Sequence, residues 1–244
     1  MQDILFFIAA FFAGVIGTIA GFGISSILLP ISLFFFDFQT ALLLVALFHF
    51  FSTIGRITFF HHSIDKRLFL LFGIPSVILA LFGALLVMNL SQDLFRLFLG
   101  IFLLVFSIVS LYTPNFSIKP TVNNALIGGA ISGFSAGLIG TAGALRGAFL
   151  HSYKLKKEVY IATIAVIALA VDMTRIPIYF GKGFLTSHFY YVPLLFVVAF
   201  ASSLTGKKIV NKIPQNKFRK IVLITLLFIS LKFIYDGFNF FTGS

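Results

Sequence analysis

Long uncharged runs of apolar residues dominate the pattern of this chain. Residues 4–36 contain no Asp, Glu, Lys or Arg, and comparable runs recur with only short polar interruptions. A helix that crosses a bilayer needs about 20 consecutive apolar residues. The pattern predicts an all-α polytopic membrane protein with eight hydrophobic segments, at residues 4–36, 38–60, 68–90, 95–112, 122–150, 159–180, 184–205 and 219–240.

The first and fifth segments are longer than a single crossing requires, and glycines interrupt both. As one helix, residues 4–36 would extend about 50 Å, whereas the hydrocarbon core of a bilayer is about 30 Å thick. Glycine also weakens a helix interior by about 1 kcal/mol relative to alanine. We therefore expect each of these two segments to break into shorter helices or to fold into a helical hairpin.

An internal repeat relates the two glycine-rich segments. AGVIGT at residues 13–18 returns as AGLIGT at residues 136–141, a shift of 123 positions. The same shift places residues 92–112 over residues 215–235, where Gln, Phe, Arg, Leu, Ser and Tyr match at several positions. Matches in two separate stretches at one shift indicate a duplication.

A short linker divides the two copies. Residues 113–121 carry two prolines and several polar residues, as a connection between units does. The predicted repeats, of four segments each, occupy residues 1–115 and 120–244. If four residues are deleted from the alignment, Arg56 in the first repeat also matches Arg175 in the second.

Basic residues in the loops favour an inverted relation between the halves. Cytoplasmic loops of membrane proteins carry an excess of Lys and Arg. If the first and fifth segments are hairpins, each half crosses the membrane an odd number of times. Of the basic residues in loops and at segment ends, only Arg96, Lys182 and Lys232 then lie outside. A topology in which every segment crosses once leaves more of them outside.

Composition supports a lipid environment and excludes several classes of function. The chain is 59% hydrophobic and 10% charged, against about 45–50% and about 25% in soluble domains. Its net charge of +11 lies largely in short loops, where it suits anionic lipid headgroups better than nucleic acid. The absence of Cys excludes disulfides and thiolate metal sites, and we expect no metal and no cofactor.

Broken helices in inverted repeats are typical of secondary transporters and indicate a site for a small anion. A helix that begins inside the membrane exposes backbone N–H groups with about half a positive charge. Glycine lets a ligand approach this backbone, and hydroxyls add donors. Close helix packing through small residues is the alternative explanation. The candidate residues are Gly17, Thr18, Gly21, Gly23, Ser25, Gly140, Thr141 and Gly143.

Charged residues within the segments extend the candidate site. Arg146 closely follows the second glycine cluster, and a mid-membrane arginine usually faces a cavity or a partner. Its planar guanidinium suits an oxyanion. Arg56, Asp172 and Arg175 are further candidates, and the last two are spaced to pair on one helix face. Snorkelling toward the headgroups is the alternative for each arginine.

His49 is the only histidine well inside a predicted segment. It could couple movement of the anion to protons, although a hydrogen-bonded packing role is the simpler interpretation. Because the chain has no Trp, we expect tyrosines to form the belt at the membrane interfaces, namely Tyr112, Tyr160, Tyr179 and Tyr235.

The glycine motifs resemble those of a known family. GVIGTIAGFGISSILLP at residues 14–30 and GFSAGLIGTAGALRGAFL at residues 133–150 are similar to the sulfite exporter TauE/SafE family, also called the TSUP permeases. The FR pairs that open segments four and eight and DMTRIPIYF add to the likeness. Pro30 fits the family's downstream proline, whereas Tyr153 stands at the matched place in the second half. The resemblance implies movement of sulfite or organosulfonates across the bacterial inner membrane.

These observations lead to one favoured function and to alternatives. The sequence predicts a secondary membrane transporter of a small sulfur-containing oxyanion, bound where the glycine-broken helices meet near the midplane. An uncoupled anion channel and a non-transporting membrane assembly protein are the alternatives. Few acidic residues and no recognisable catalytic motif argue against an enzyme. The expected partners are a small anion, the lipid bilayer and, in some arrangements, protons or further copies of the chain.

Overall fold

A computed structural model describes residues 2–20, 23–59, 64–113, 118–184, 189–209 and 215–242. Every regular element in these ranges is helical, and seven helices are long and apolar enough to cross a membrane. The predicted all-α polytopic membrane fold is confirmed.

The helices follow the predicted hydrophobic segments. Segments one and five each contain two helices, and segment three contains a π-helical turn at Phe69–Gly73 between two α-helices. In chain order the helices are α1 (Gln2–Ala20), α2 (Ser25–Ser32), α3 (Phe38–Phe59), α4 (Lys66–Leu68), α5 (Ile74–Leu86), α6 (Gln92–Tyr112), α7 (Val122–Ile139), α8 (Gly143–Leu150), α9 (Lys157–Gly181), α10 (Tyr191–Ile209) and α11 (Gln215–Thr242).

Polar residues at the segment edges fix several helix starts. The Asp37 carboxylate accepts the N–H groups of the first turn of α3 at 3.0 Å. Ser91 accepts from Leu94 ahead of α6, and Thr121 accepts from Asn124 ahead of α7, both at 3.2 Å. Such caps satisfy N–H groups that have no partner within the helix.

Helices α1 and α2 form a hairpin in which the chain reverses direction. A methyl group built on Gly17 would lie 2.7 Å from the Cα of Ile24. Further from the tip, the Phe6 ring packs against the rings of Phe35 and Phe36, with centroids 6.0 and 4.9 Å apart. The chain therefore returns to the end of the molecule from which α1 starts.

Helices α7 and α8 fold back in the same way. Gly140 ends α7 with φ +71°, a left-handed conformation that glycine adopts without strain. At the open end of the hairpin, the Ile118 N–H donates to the Ala148 carbonyl at 3.1 Å. The Tyr153 hydroxyl donates to the Thr121 carbonyl at 2.7 Å.

Helix α3 lies in the centre of the bundle. Residues 41–48 are at most 5% exposed, so this helix is buried on every side. It contacts α2, α9 and α10, and it carries His49 directly after the buried stretch. The outer helices, by contrast, present large apolar side chains to the surroundings, as lipid-facing helices do.

Glycines permit a close contact between α7 and α5. Gly129, Gly133 and Gly137 on α7 face the backbone of the π-helical turn and of α5, with which α7 runs parallel. A Cβ at any of these three positions would collide with a carbonyl oxygen. The small-residue packing that the sequence offered as an alternative explanation therefore accounts for these three glycines.

Helix pairs from the two predicted repeats pack with related geometry. Helix α1 runs parallel to α10, as α5 runs parallel to α7. Helices α6 and α11 are antiparallel, because Gly100 contacts Ser230 and Ile234 whereas Gly237 contacts Asp93 and Leu97. Two inverted halves would produce these pairings; the repeat boundaries and the inversion stay predictions.

Cysteine labelling tests the topology. The Asp65 N–H donates to Thr163 Oγ1 at 3.0 Å, so the chain after α3 lies near the start of α9, while Lys182 follows the other end of α9. In this Cys-free chain, we expect an impermeant maleimide to label Ile64→Cys from the cytoplasmic side and Lys182→Cys from the opposite side. His151→Cys is the control and should behave as Ile64→Cys does. Labelling of Ile64→Cys and Lys182→Cys from one side would contradict the inverted arrangement.

Candidate functional site

The tips of the two hairpins meet in the interior of the bundle. A methyl group built on Gly23 would lie 3.2 Å from the Cα of Gly143. The hydroxyls of Ser26 and Thr141 are 2.7 Å apart and buried. Gly23 has φ +97°, so the turn before α2 also relies on glycine. At Gly23 even a methyl group would be in tight contact with the backbone of the other tip.

Both half-helices begin at this contact. Helix α2 starts at Ser25 and α8 starts at Gly143, and the residues before them, Ile24 and Ala142, make no side-chain capping bond. The first N–H groups of a helix carry about half a positive charge. Two such positive ends therefore lie side by side in the protein interior.

A small cavity of about 10 Å³ lies between the tips, α3 and α9, with room for about one water molecule. Its walls combine glycine backbone with basic side chains. It is lined by Gly23, Ser25, His49, Ala136, Gly140, Ala142, Gly143, Arg146 and Arg175.

Arg146 brings a positive charge to the cavity from α8. It lies one turn into that helix, where its N–H donates to the Ala142 carbonyl at 3.0 Å. The residue is only 4% exposed. It does not snorkel to a membrane surface, because its side chain is enclosed by the protein and reaches the cavity.

A buried ionic cluster forms the opposite wall. Asp172 Oδ1 accepts from Arg175 Nε at 2.9 Å and lies 2.8 Å from a second guanidinium nitrogen. Asp172 Oδ2 lies 2.6 Å from His49 Nδ1. The pairing of Asp172 with Arg175 predicted from their spacing is present, and both residues are at most 2% exposed.

Arg175 and Tyr179 hold the end of α7. Arg175 Nη1 donates to the Ala136 carbonyl at 2.7 Å, and the Tyr179 hydroxyl donates to the Gly137 carbonyl at 2.5 Å. The last carbonyls of a helix have no partner within it and must be satisfied from outside. These two side chains of α9 therefore fix the position of the second hairpin tip.

Comparison with known proteins identifies the family. The family model described as sulfite exporter TauE/SafE matches residues 6–233, nearly the whole chain. The chain belongs to the sulfite exporter TauE/SafE family. No curated protein and no solved structure matches it significantly. Membership makes this chain a multi-pass membrane transporter of a family that exports sulfite and related sulfur compounds.

Most of the predicted site residues of this TauE/SafE chain lie at or beside the cavity. Thr141 and Asp172 stand just behind its wall, bonded to Ser26 and Arg175. The predicted residues that line it directly are Gly23, Ser25, Gly140, Gly143, Arg146 and Arg175.

Two of the other predicted residues, Gly17 and Thr18, do not line the cavity. Thr18 donates to the Gly14 carbonyl at 2.8 Å and packs against Gly206 of α10, away from the cavity. Gly17 supports the reversal toward α2. Gly21 and the side chain of Arg56 fall outside the residues that the structure describes.

Two residues outside the predicted set lie at the cavity or hold its wall. His49 lines the cavity and contacts Asp172. Tyr179 is fully buried against α7, so its expected place in the interfacial belt is wrong, whereas Tyr112 and Tyr235 are exposed. The sequence contains one indication of His49, because His49 and Asp172 are 123 positions apart, the shift at which AGVIGT and AGLIGT match.

Removal of the Asp172 charge should destabilise the protein strongly. Asp172→Asn leaves the Arg175 guanidinium buried without a counter-charge, and breaking a buried pair in this way costs about 3–5 kcal/mol. The control is Asp236→Asn on α11. Asp236 Oδ2 lies 2.8 Å from Lys232 Nζ, and the Lys232 side chain is 55% exposed. Exposed pairs of this kind contribute at most about 1 kcal/mol. The measurement is thermal unfolding of both purified variants. Equal small shifts would show that the cluster does not stabilise the fold.

Proposed function

We propose that this chain is a secondary transporter of a small sulfur-containing oxyanion, of the sulfite or organosulfonate class, in the bacterial inner membrane. The anion binds between the hairpin tips. The observation that carries this proposal is the convergence of two half-helix N-termini and the buried Arg146 on one cavity. No chemical conversion of the anion is part of the proposed function.

The charges around the cavity favour an anion. Arg146 and Arg175 contribute two positive charges and Asp172 one negative charge, so one net positive charge is buried beside two positive helix ends. A buried net charge is costly unless a counter-charge accompanies it. A bound oxyanion supplies that counter-charge and accepts hydrogen bonds from the exposed backbone N–H groups.

The two cavity arginines have different tasks in this proposal. The Arg175 guanidinium already contacts Asp172 and the Ala136 carbonyl, which makes it a positioning residue for the second tip. We assign the anion to Arg146, because it lies on the half-helix whose N-terminus faces the same cavity. A guanidinium can donate two parallel hydrogen bonds to one oxyanion.

The size of the cavity favours a carrier over an open channel. Sulfite does not fit a cavity of about 10 Å³, which holds about one water molecule. Binding of sulfite therefore requires the hairpin tips to separate. The buried contact between the hydroxyls of Ser26 and Thr141, which are 2.7 Å apart, must break when they do. Inverted repeats in residues 1–115 and 120–244 would allow the tips to open to either side in turn.

Reconstituted flux tests this function together with the role of Arg146. Proteoliposomes should accumulate labelled sulfite or an organosulfonate faster than protein-free vesicles. Arg146→Lys should weaken apparent affinity about 10- to 100-fold, because hydrogen bonds to charged groups contribute about 1.5–3 kcal/mol and lysine cannot donate in the same two-pronged geometry. The control is Arg67→Lys, an exposed residue at the start of α4, which should leave flux unchanged.

Three other outcomes would contradict the proposal. Normal flux in Arg146→Lys would show that the anion binds away from the hairpin tips. Flux that grows linearly without saturation would favour the uncoupled channel. No flux of any tested anion by correctly inserted protein would favour the assembly protein.

A further inference from the structure

The contact between His49 and Asp172 links two elements that cross beside the cavity. His49 lies on α3 and Asp172 on α9, and their atoms Nδ1 and Oδ2 are 2.6 Å apart. The other carboxylate oxygen of Asp172, Oδ1, accepts a hydrogen bond from Arg175, so both oxygens have partners. An ionised carboxylate held in this way is an acceptor, which makes Nδ1 of His49 the donor. Nε2 is then the only ring atom of His49 that can bind a further proton.

Among the described side chains, the charged groups at this cavity come from two helices. Helix α9 supplies Asp172 and Arg175, and helix α8 supplies Arg146 across the cavity. Helix α2 contributes the uncharged Ser25. Helix α10 also packs against α3, where the hydroxyls of Ser203 and Ser52 are 2.8 Å apart, and this contact is uncharged. Among the described residues, no other charged side chain lines the cavity.

The protonation state of His49 therefore sets the charge that an anion must balance. With neutral His49, the two arginines and Asp172 leave one net positive charge, which suits a monoanion such as a sulfonate. With protonated His49 the net charge is two, which suits a dianion. Because buried charges require compensation, a dianion and a proton on His49 stabilise each other.

Building on the proposed anion site, we propose that His49 is the proton-coupling residue of this transporter. A dianion enters with one proton, which bonds to Nε2 of His49, and both leave together on the other side. A monoanion occupies the same cavity without proton uptake. The Asp172 carboxylate stays ionised throughout, orients the ring through Nδ1 and stabilises the imidazolium.

Calorimetry of anion binding tests this coupling without any transport assay. The probes are thiosulfate, a dianion, and methanesulfonate, a monoanion, because neither changes its own protonation near neutral pH. Titrations in two buffers of different ionisation enthalpy give the protons bound per anion. We expect about one proton taken up per thiosulfate and none per methanesulfonate.

Two variants and the pH dependence assign the proton to His49. His49→Gln removes the titratable ring, so its thiosulfate binding should be weaker and free of proton uptake. His151→Gln, at an exposed position in the 3₁₀ turn after α8, should keep the wild-type proton uptake. In the wild type, thiosulfate affinity should fall with rising pH by at most about tenfold per unit, a measurement that does not depend on a variant folding.

The outcomes separate this inference from the proposed function. Thiosulfate binding without proton uptake, or with unchanged uptake in His49→Gln, would overturn the coupling role and leave the anion site intact. Failure of both anions to bind the wild type would overturn the anion site itself, and the coupling role with it.

Discussion

Backbone polar groups inside a bilayer must find partners within the protein, and this requirement organises the centre of the molecule. Two hairpins reverse in the interior, so four helix ends lie where water cannot satisfy them. The carbonyl end of α7 is satisfied by Arg175 and Tyr179 of α9. The N–H ends of α2 and α8 face the cavity instead. A buried arginine and a buried tyrosine thus satisfy carbonyls, and in our proposal the amide ends bind the anion.

The two glycine motifs share a sequence but perform different tasks. Helix α1 continues to Ala20, so Thr18 remains on a helix face and packs against α10. Helix α7 ends at Ile139, so Thr141 lies in the tip and bonds to Ser26. The first half contributes a half-helix end and His49, and the second half contributes Arg146 and the ionic cluster. One site is therefore assembled from unequal contributions of two similar segments.

Local patterns predicted the helical segments, the glycine-rich tips and the two arginines that line the cavity, because apolar length and intramembrane charge act through their immediate surroundings. They could not assign Thr18, since its orientation depends on how far α1 continues. The role of Tyr179 depends on where α9 crosses α7, which no local pattern contains. His49 is intermediate: the 123 positions between it and Asp172 equal the shift of the predicted repeat, but only the packing of α3 against α9 brings the two side chains together.

The central claim is that a sulfur oxyanion binds between the hairpin tips, held by Arg146 and the first N–H groups of α2 and α8. Anomalous diffraction from crystals grown with selenite, the heavier analogue of sulfite, tests it most directly. The account predicts a selenium peak in the enlarged cavity, within hydrogen-bonding reach of the Arg146 guanidinium and the half-helix ends. Peaks confined to the basic loops, with an unchanged contact between Ser26 and Thr141, would contradict it.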